Sequence, residues 1–141
     1  MGRLIEFVGN HPLHFVALGA LLGAIAWVEL RRLRQGAVDI GIPQAVRLIN
    51  DEDAVVIDVR EDAEVAGGRI PNAKHVPLSV LKQRLKELER YRDRPVVLVC
   101  RSGSRSGAAV SILRKAGFER VYNLKGGMLA WENENLPKSR K

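Results

Sequence analysis

From Phe7 to Val28 the chain carries no Asp, Glu, Lys or Arg, and from Phe15 to Val28 every residue is apolar or glycine. As a helix rising 1.5 Å per residue, these 22 residues cover about 33 Å, enough for a hydrocarbon core of about 30 Å. The strictly apolar part alone falls short, which puts Asn10, His11 and His14 near one interface and Trp27 near the other. A buried core helix is the weaker alternative, because the polar interruptions gather at one end and show no amphipathic period. A cleaved signal peptide is the stronger one, since Ala24-Ile25-Ala26 resembles a cleavage site. Against it, the region before the apolar run has only Arg3 and the amino terminus, offset by Glu6, and Arg31, Arg32 and Arg34 follow at once, where they hinder export. The favoured expectation is one uncleaved N-terminal transmembrane helix within residues 1–30, then a juxtamembrane linker over 31–36. The arginines place the N-terminus outside and the rest in the cytoplasm, a single-pass protein of the cell (inner) membrane. Gly19 and Gly23 form a GxxxG spacing that could serve helix pairing in a helix-mediated dimer, although small residues are common in such helices anyway.

The whole chain has 141 residues, so one globular domain follows this segment. Residues 31–141 hold 22 Lys and Arg against 14 Asp and Glu, a net of +8 within an overall +7. Six basic residues fall between Lys82 and Arg94, and Lys138-Ser139-Arg140-Lys141 forms a basic tail. No aromatic-rich sheet, zinc motif or recognition-helix pattern accompanies this charge, which argues against nucleic acid as partner. An anionic membrane surface, which attracts basic segments, suits it better. With one cysteine in the sequence there is no internal disulfide, no Cys-x-x-Cys pair and no zinc knuckle. His11 and His14 are too few for a metal site, and no metal is expected.

Beyond the linker, strand patterns alternate with helix patterns. Short strands are expected at Val38–Ile40, Ala54–Asp58, Lys74–Val76, Val96–Cys100 and Arg120–Asn123. Helices are expected from Pro43 to Ile49, over Glu61–Glu64, along Leu78, Leu81, Leu85 and Leu88 to about Tyr91, over Ser104–Ala116, and from Gly126 to about Glu134. This alternation predicts an α/β fold with a mostly parallel sheet covered on both faces. In such sheets ligands bind beyond the carboxyl ends of the strands. Cys100 stands at such an end, followed by Arg101-Ser102-Gly103-Ser104-Arg105 and a helix. The turn needed there converges main-chain N–H groups on one point at a helix N-terminus, beside two guanidinium groups. Surroundings of this kind lower a thiol's pKa and turn it into a nucleophile. The competing reading is an inert buried thiol. Ser102 and Ser104 could donate hydroxyl bonds to sulfur or satisfy the turn, and Gly103 supplies a backbone angle that side chains disfavour. Arg101 suits an anionic donor at the mouth. Arg105 suits either substrate or a carboxylate that would make it a structural clamp.

Four ordered blocks resemble a single-domain rhodanese, the thiosulfate sulfurtransferase-like family: Ile57-Asp58-Val59-Arg60-Glu61, Gly68-Arg69-Ile70-Pro71-Asn72-Ala73, the Cys100–Arg105 loop, and Leu124-Lys125-Gly126-Gly127 with Trp131 beyond. The resemblance covers about residues 37–137. It implies a five-stranded, mainly parallel sheet with helices on both faces, and a Cys100 that cycles between thiolate and persulfide without a bound cofactor. It further implies a small anionic sulfur donor such as thiosulfate and a thiol or cyanide-like acceptor, or a protein acceptor at the membrane. Asp58 and Arg60 match residues that brace the active-site side through buried ion pairing. Arg69 replaces a His found in many members, and Asn72 stands where Gly is usual. The loop has six residues from cysteine to arginine, matching sulfurtransferases, whereas related cysteine phosphatases use one more. His75, Gly126, Gly127 and Trp131 read as packing or turn residues. The rival from another class is a membrane-tethered, non-catalytic binding module of the same fold, although such modules commonly lack the cysteine.

Overall fold

The computed structural model describes residues 1–34 and 39–140. Val38, the end of the expected linker and Lys141 lie outside them. The chain divides into two compact units, residues 1–36 and 37–141, each considered by itself.

In the first unit the expected single helix is two. Helix α1 spans Gly2–Asn10 and α2 spans Pro12–Arg34. The reason for the break is Pro12, which has no N–H to continue the ladder and whose ring crowds the preceding turn. The candidate span therefore starts later than the charge-free stretch. Pro12–Leu30, 19 residues of mean hydropathy 1.9, is long and apolar enough to cross a membrane. It covers about 28 Å. Its large apolar side chains, Leu21, Leu22, Ile25 and Trp27 among them, are exposed.

The second unit holds a five-stranded sheet. Its strands are β1 (Asp39–Ile40), β2 (Val55–Asp58), β3 (Lys74–His75), β4 (Val96–Val99) and β5 (Val121–Leu124). Their order is β1-β5-β4-β2-β3, and all four pairings are parallel. Because successive side chains alternate across a strand, β4 feeds two cores. Val96, Leu98 and Cys100 pack with Ala109, Val110 and Leu113 of α6 (Ser104–Lys115) and with Leu81 and Leu88. Val97 and Val99 face the other way, onto Ala45 and Leu48 of α3 (Ile42–Asp51) and Met128 and Trp131 of α7 (Gly127–Asn133). A strand buried on both faces reads as a continuous apolar run, which is what Val96–Val99 is.

Of two further helices, one is as brief as its sequence pattern suggests and the other is broken up. Glu61 caps α4 (Asp62–Val65) in a reciprocal capping box with Glu64. The Leu78–Tyr91 stretch is not one helix but a 3-10 turn (Leu78–Val80), α5 (Leu85–Leu88) and a second 3-10 turn (Glu89–Tyr91). Leu81 and Leu88 are still buried, with Leu78 and Leu85 packed beside them. The apolar period identified the inner face, but the tighter 3-10 turns advance about 2.0 Å per residue and set a different pitch. Nor is the expected basic tail free. Ser139 exchanges main-chain hydrogen bonds of 2.8 and 2.7 Å with Arg69, an isolated antiparallel bridge.

Candidate active site

Cys100 follows the central strand β4 and is fully buried. The loop after it is shaped by where its carbonyls go. The Cys100 and Arg101 carbonyls accept from the N–H groups of Met128 and Leu129, at 2.8 and 3.1 Å, in the first turn of α7. The Gly103 carbonyl accepts from the Asn123 side-chain amide at 2.9 Å and from the Gly107 N–H at 3.1 Å. With the carbonyls drawn outward, the amides turn inward. The Gly103 N–H lies 3.0 Å from Sγ, and the N–H groups of Ser102 and Ser106 also face it. Gly103 takes φ 105°, which starts α6 at this tight turn and which side chains disfavour. Gly127 is constrained more severely. A Cβ there would overlap the Cys100 carbonyl oxygen and come within 2.6 Å of the Arg101 carbonyl, at φ 54°.

The sulfur also receives a side-chain hydroxyl from an unexpected residue. Ser106 Oγ is 3.2 Å from Sγ and 2.5 Å from Asn123 Oδ1. Ser102 and Ser104, whose hydroxyls could serve either the sulfur or the turn, are exposed at the surface. Burial alone pushes the Cys100 thiol up. The Ser106 hydroxyl and the N–H groups of Ser106, Gly103 and Ser102 outweigh it and hold the thiol below its usual range.

The two arginines of the loop have different surroundings. Arg105 donates from both terminal nitrogens to the Glu64 carboxylate at 2.6 and 2.8 Å, the bidentate arrangement of a clamp. That pairing holds Glu64 down to about 2, with the nearby Arg60 adding to it. Arg101 is exposed and lines a 230 Å³ cleft with Arg60, Glu64, Met128, Leu129 and Glu132. Arg60 is not free either: it donates to both Asp58 carboxylate oxygens at 2.8–3.1 Å and to the Gly68 carbonyl at 2.8 Å. Asp58 is fully buried and Arg60 nearly so. The buried Asp58–Arg60 ion pair expected from sequence is therefore present. His75 Nε2 lies 2.7 Å from the Arg60 carbonyl, which can only accept, so that nitrogen carries the proton. Trp131 packs in the α3–α7 core and donates to the Pro137 carbonyl.

Sequence reasoning missed Ser106, Asn123 and Glu64. Ser106 and Asn123 did leave a trace, since a serine three residues before Ala109 lies on the helix face that packs inward, and an asparagine interrupts an apolar strand.

The pattern of the family described as Rhodanese-like domain matches residues 42–134. The chain belongs to the rhodanese family. Over 138 residues it is 37% identical to the uncharacterized protein YibN of Escherichia coli, covering 97% of this chain and 96% of that one. It is 43% identical over 91 residues to a sulfurtransferase of Allochromatium vinosum, 64% of this chain and 83% of that relative. The crystal structure of a rhodanese-related protein from Thermoplasma volcanium superposes with a TM-score of 0.63 at 33% identity, covering 73% of this chain and 98% of the other. The rhodanese fold expected from sequence, with its five-stranded parallel sheet, is what this chain adopts.

Proposed function

We propose that this rhodanese is a sulfurtransferase in which Cys100 carries the moving sulfur atom as a persulfide. The observation that carries the reading is the set of donors on Sγ: main-chain N–H groups and one hydroxyl. The thiolate attacks the outer sulfur of thiosulfate, an S–S bond forms on Sγ, and the donor's own S–S bond breaks to release sulfite. A nucleophile such as cyanide then takes the outer sulfur, leaving as thiocyanate, and Cys100 returns to a thiolate. Charge is conserved in both halves, and no proton needs to move once the thiol is ionised. The inward amides of Ser102, Gly103 and Ser106 hold negative charge through both transfers, a fixed electrostatic stabilisation. Arg101, at the cleft, draws the anionic donor in. Arg105 acts as a clamp on α4, and Asp58 with Arg60 as a brace. Ser102 and Gly103 serve through their backbone, and Ser104 opens α6.

The apolar helix is read as an uncleaved anchor, with the N-terminus outside and the rhodanese unit in the cytoplasm. The arginines after Leu30 support that orientation. Protease added to intact cells should leave the C-terminal residues uncut; their digestion would reverse the topology.

The chemistry is tested on the full chain in detergent. After incubation with thiosulfate, intact-protein mass spectrometry should find one added sulfur on the wild type and none on Cys100→Ser, with thiocyanate formed from cyanide by the wild type alone. A folded wild type that gains no sulfur from thiosulfate or from an organic persulfide would leave a binding module in place of an enzyme.

A further inference from the structure

Ser106 has one hydroxyl proton and two neighbours that want it: Sγ of Cys100 at 3.2 Å and Oδ1 of Asn123 at 2.5 Å. The Asn123 amide cannot turn to relieve this. Its Nδ2 donates to Asp39 Oδ1 and to the Gly103 carbonyl, both at 2.9 Å, and these two partners are acceptors. Oδ1 is thereby fixed toward Ser106 and can be satisfied there only by a donor. When Cys100 is a thiol, its S–H can donate to Ser106 Oγ while the hydroxyl donates onward to Asn123. When the thiol proton passes to a buffer base, sulfur becomes an acceptor, and the hydroxyl must choose.

We propose that Asn123 is a positioning residue for the sulfur: it draws the Ser106 proton to its own Oδ1 while Cys100 is protonated, and yields it to Sγ when the thiol ionises. Ionisation then leaves Oδ1 short of one hydrogen bond, so Asn123 opposes the thiolate and tempers what the loop amides favour. Buried acceptors pay for such a loss on the order of one hydrogen bond, which corresponds to about one pKa unit. The charged groups around the sulfur do not act through this path. Arg105 exerts an electrostatic pull on it and is tied to Glu64. Arg101 lies at the cleft, Asp58 and Arg60 bind each other, and Asp39 acts on Asn123.

The proposal concerns the same thiol as the sulfur-transfer reading, but its test is a titration. It would stand even if no sulfur were transferred. Thiolate absorbance of the full chain in detergent, followed against pH, gives the Cys100 pKa in wild type, Asn123→Leu, Asn123→Asp, Ser106→Ala and the Ser106→Ala/Asn123→Leu pair. Leucine has no acceptor, so the pKa should fall by about one unit; an aspartate carboxylate keeps the shape and grips the proton harder, so it should rise. In the Ser106→Ala background the leucine effect should drop below half its size, because the connecting hydroxyl is gone. A leucine shift that persists at half or more without Ser106, or leucine and aspartate shifts of the same sign, overturns the proposal. Should Asn123→Leu fail to fold, the Asn123→Asp rise with and without Ser106 decides: a rise that persists at half or more in the Ser106→Ala background is a bare charge effect and overturns the proposal.

Discussion

The strands on either side of β4 both end in buried polar groups beside Cys100, and they use opposite chemistry. At the end of β2, Asp58 and Arg60 form an ion pair whose guanidinium also donates to the Gly68 carbonyl. At the end of β5, Asn123 forms a neutral relay that ends on the sulfur through Ser106. Full charges thus brace the loops, and neutral dipoles touch the reactive atom. A cation pressed against Sγ would stabilise the thiolate strongly but also hold any transferred sulfur too well. In the proposed cycle, uncharged donors stabilise negative charge in the thiolate and persulfide states alike.

The largest expected effect breaks the charged side. Asp58→Ala leaves a buried guanidinium without its carboxylate and should cost about 3–5 kcal/mol in chemical denaturation. Replacing Asp58 and Arg60 together by leucine should recover much of that loss, whereas a double variant as unstable as the single one would give the pair a role beyond bracing. Next, Gly127→Ala forces a methyl into the Cys100 and Arg101 carbonyls. It should destabilise the fold by about 1–3 kcal/mol and, by turning the loop amides, raise the Cys100 pKa. An unchanged thiol titration in that variant would show that α7 does not shape the loop.

Arg101→Ala should raise KM for thiosulfate several-fold and leave kcat nearly intact, since Arg101 belongs to the cleft and not to the sulfur's donors. A loss confined to kcat would move it into the transition state. The smallest effect is pH-dependent. Glu64 is held at about 2 against an ordinary 4.5, so its bond to Arg105 contributes stability that is complete above pH 4.5 and lost as pH falls toward 2. Glu64→Gln should flatten the acid limb of the stability curve across that window and leave stability at lower pH unchanged. A limb of the same slope in both proteins would deny the clamp.

The apolar runs announced β2 and β4 because a strand covered on both faces needs no polar residue, and the Cys100 loop followed from the strand–turn–helix junction. The apolar N-terminal helix was expected to begin too early because counting charges ignores Pro12, whose effect is on the backbone. Arg105 could not be assigned from sequence, since its partner Glu64 lies 41 residues away and several carboxylates were available. Ser106 and Asn123 meet only because α6 packs beneath β5, a contact that no local period encodes.

Cys100 presents no surface to solvent. A sulfur closed to a water-sized reagent is expected to need an opening of its loop before an electrophile, oxidant or acceptor reacts with it. Reagents of very different intrinsic vigour should then saturate at one common first-order rate as their concentrations rise. That plateau would report the opening of the loop, whereas a rate that keeps rising with concentration would show the sulfur to be reachable with the loop closed.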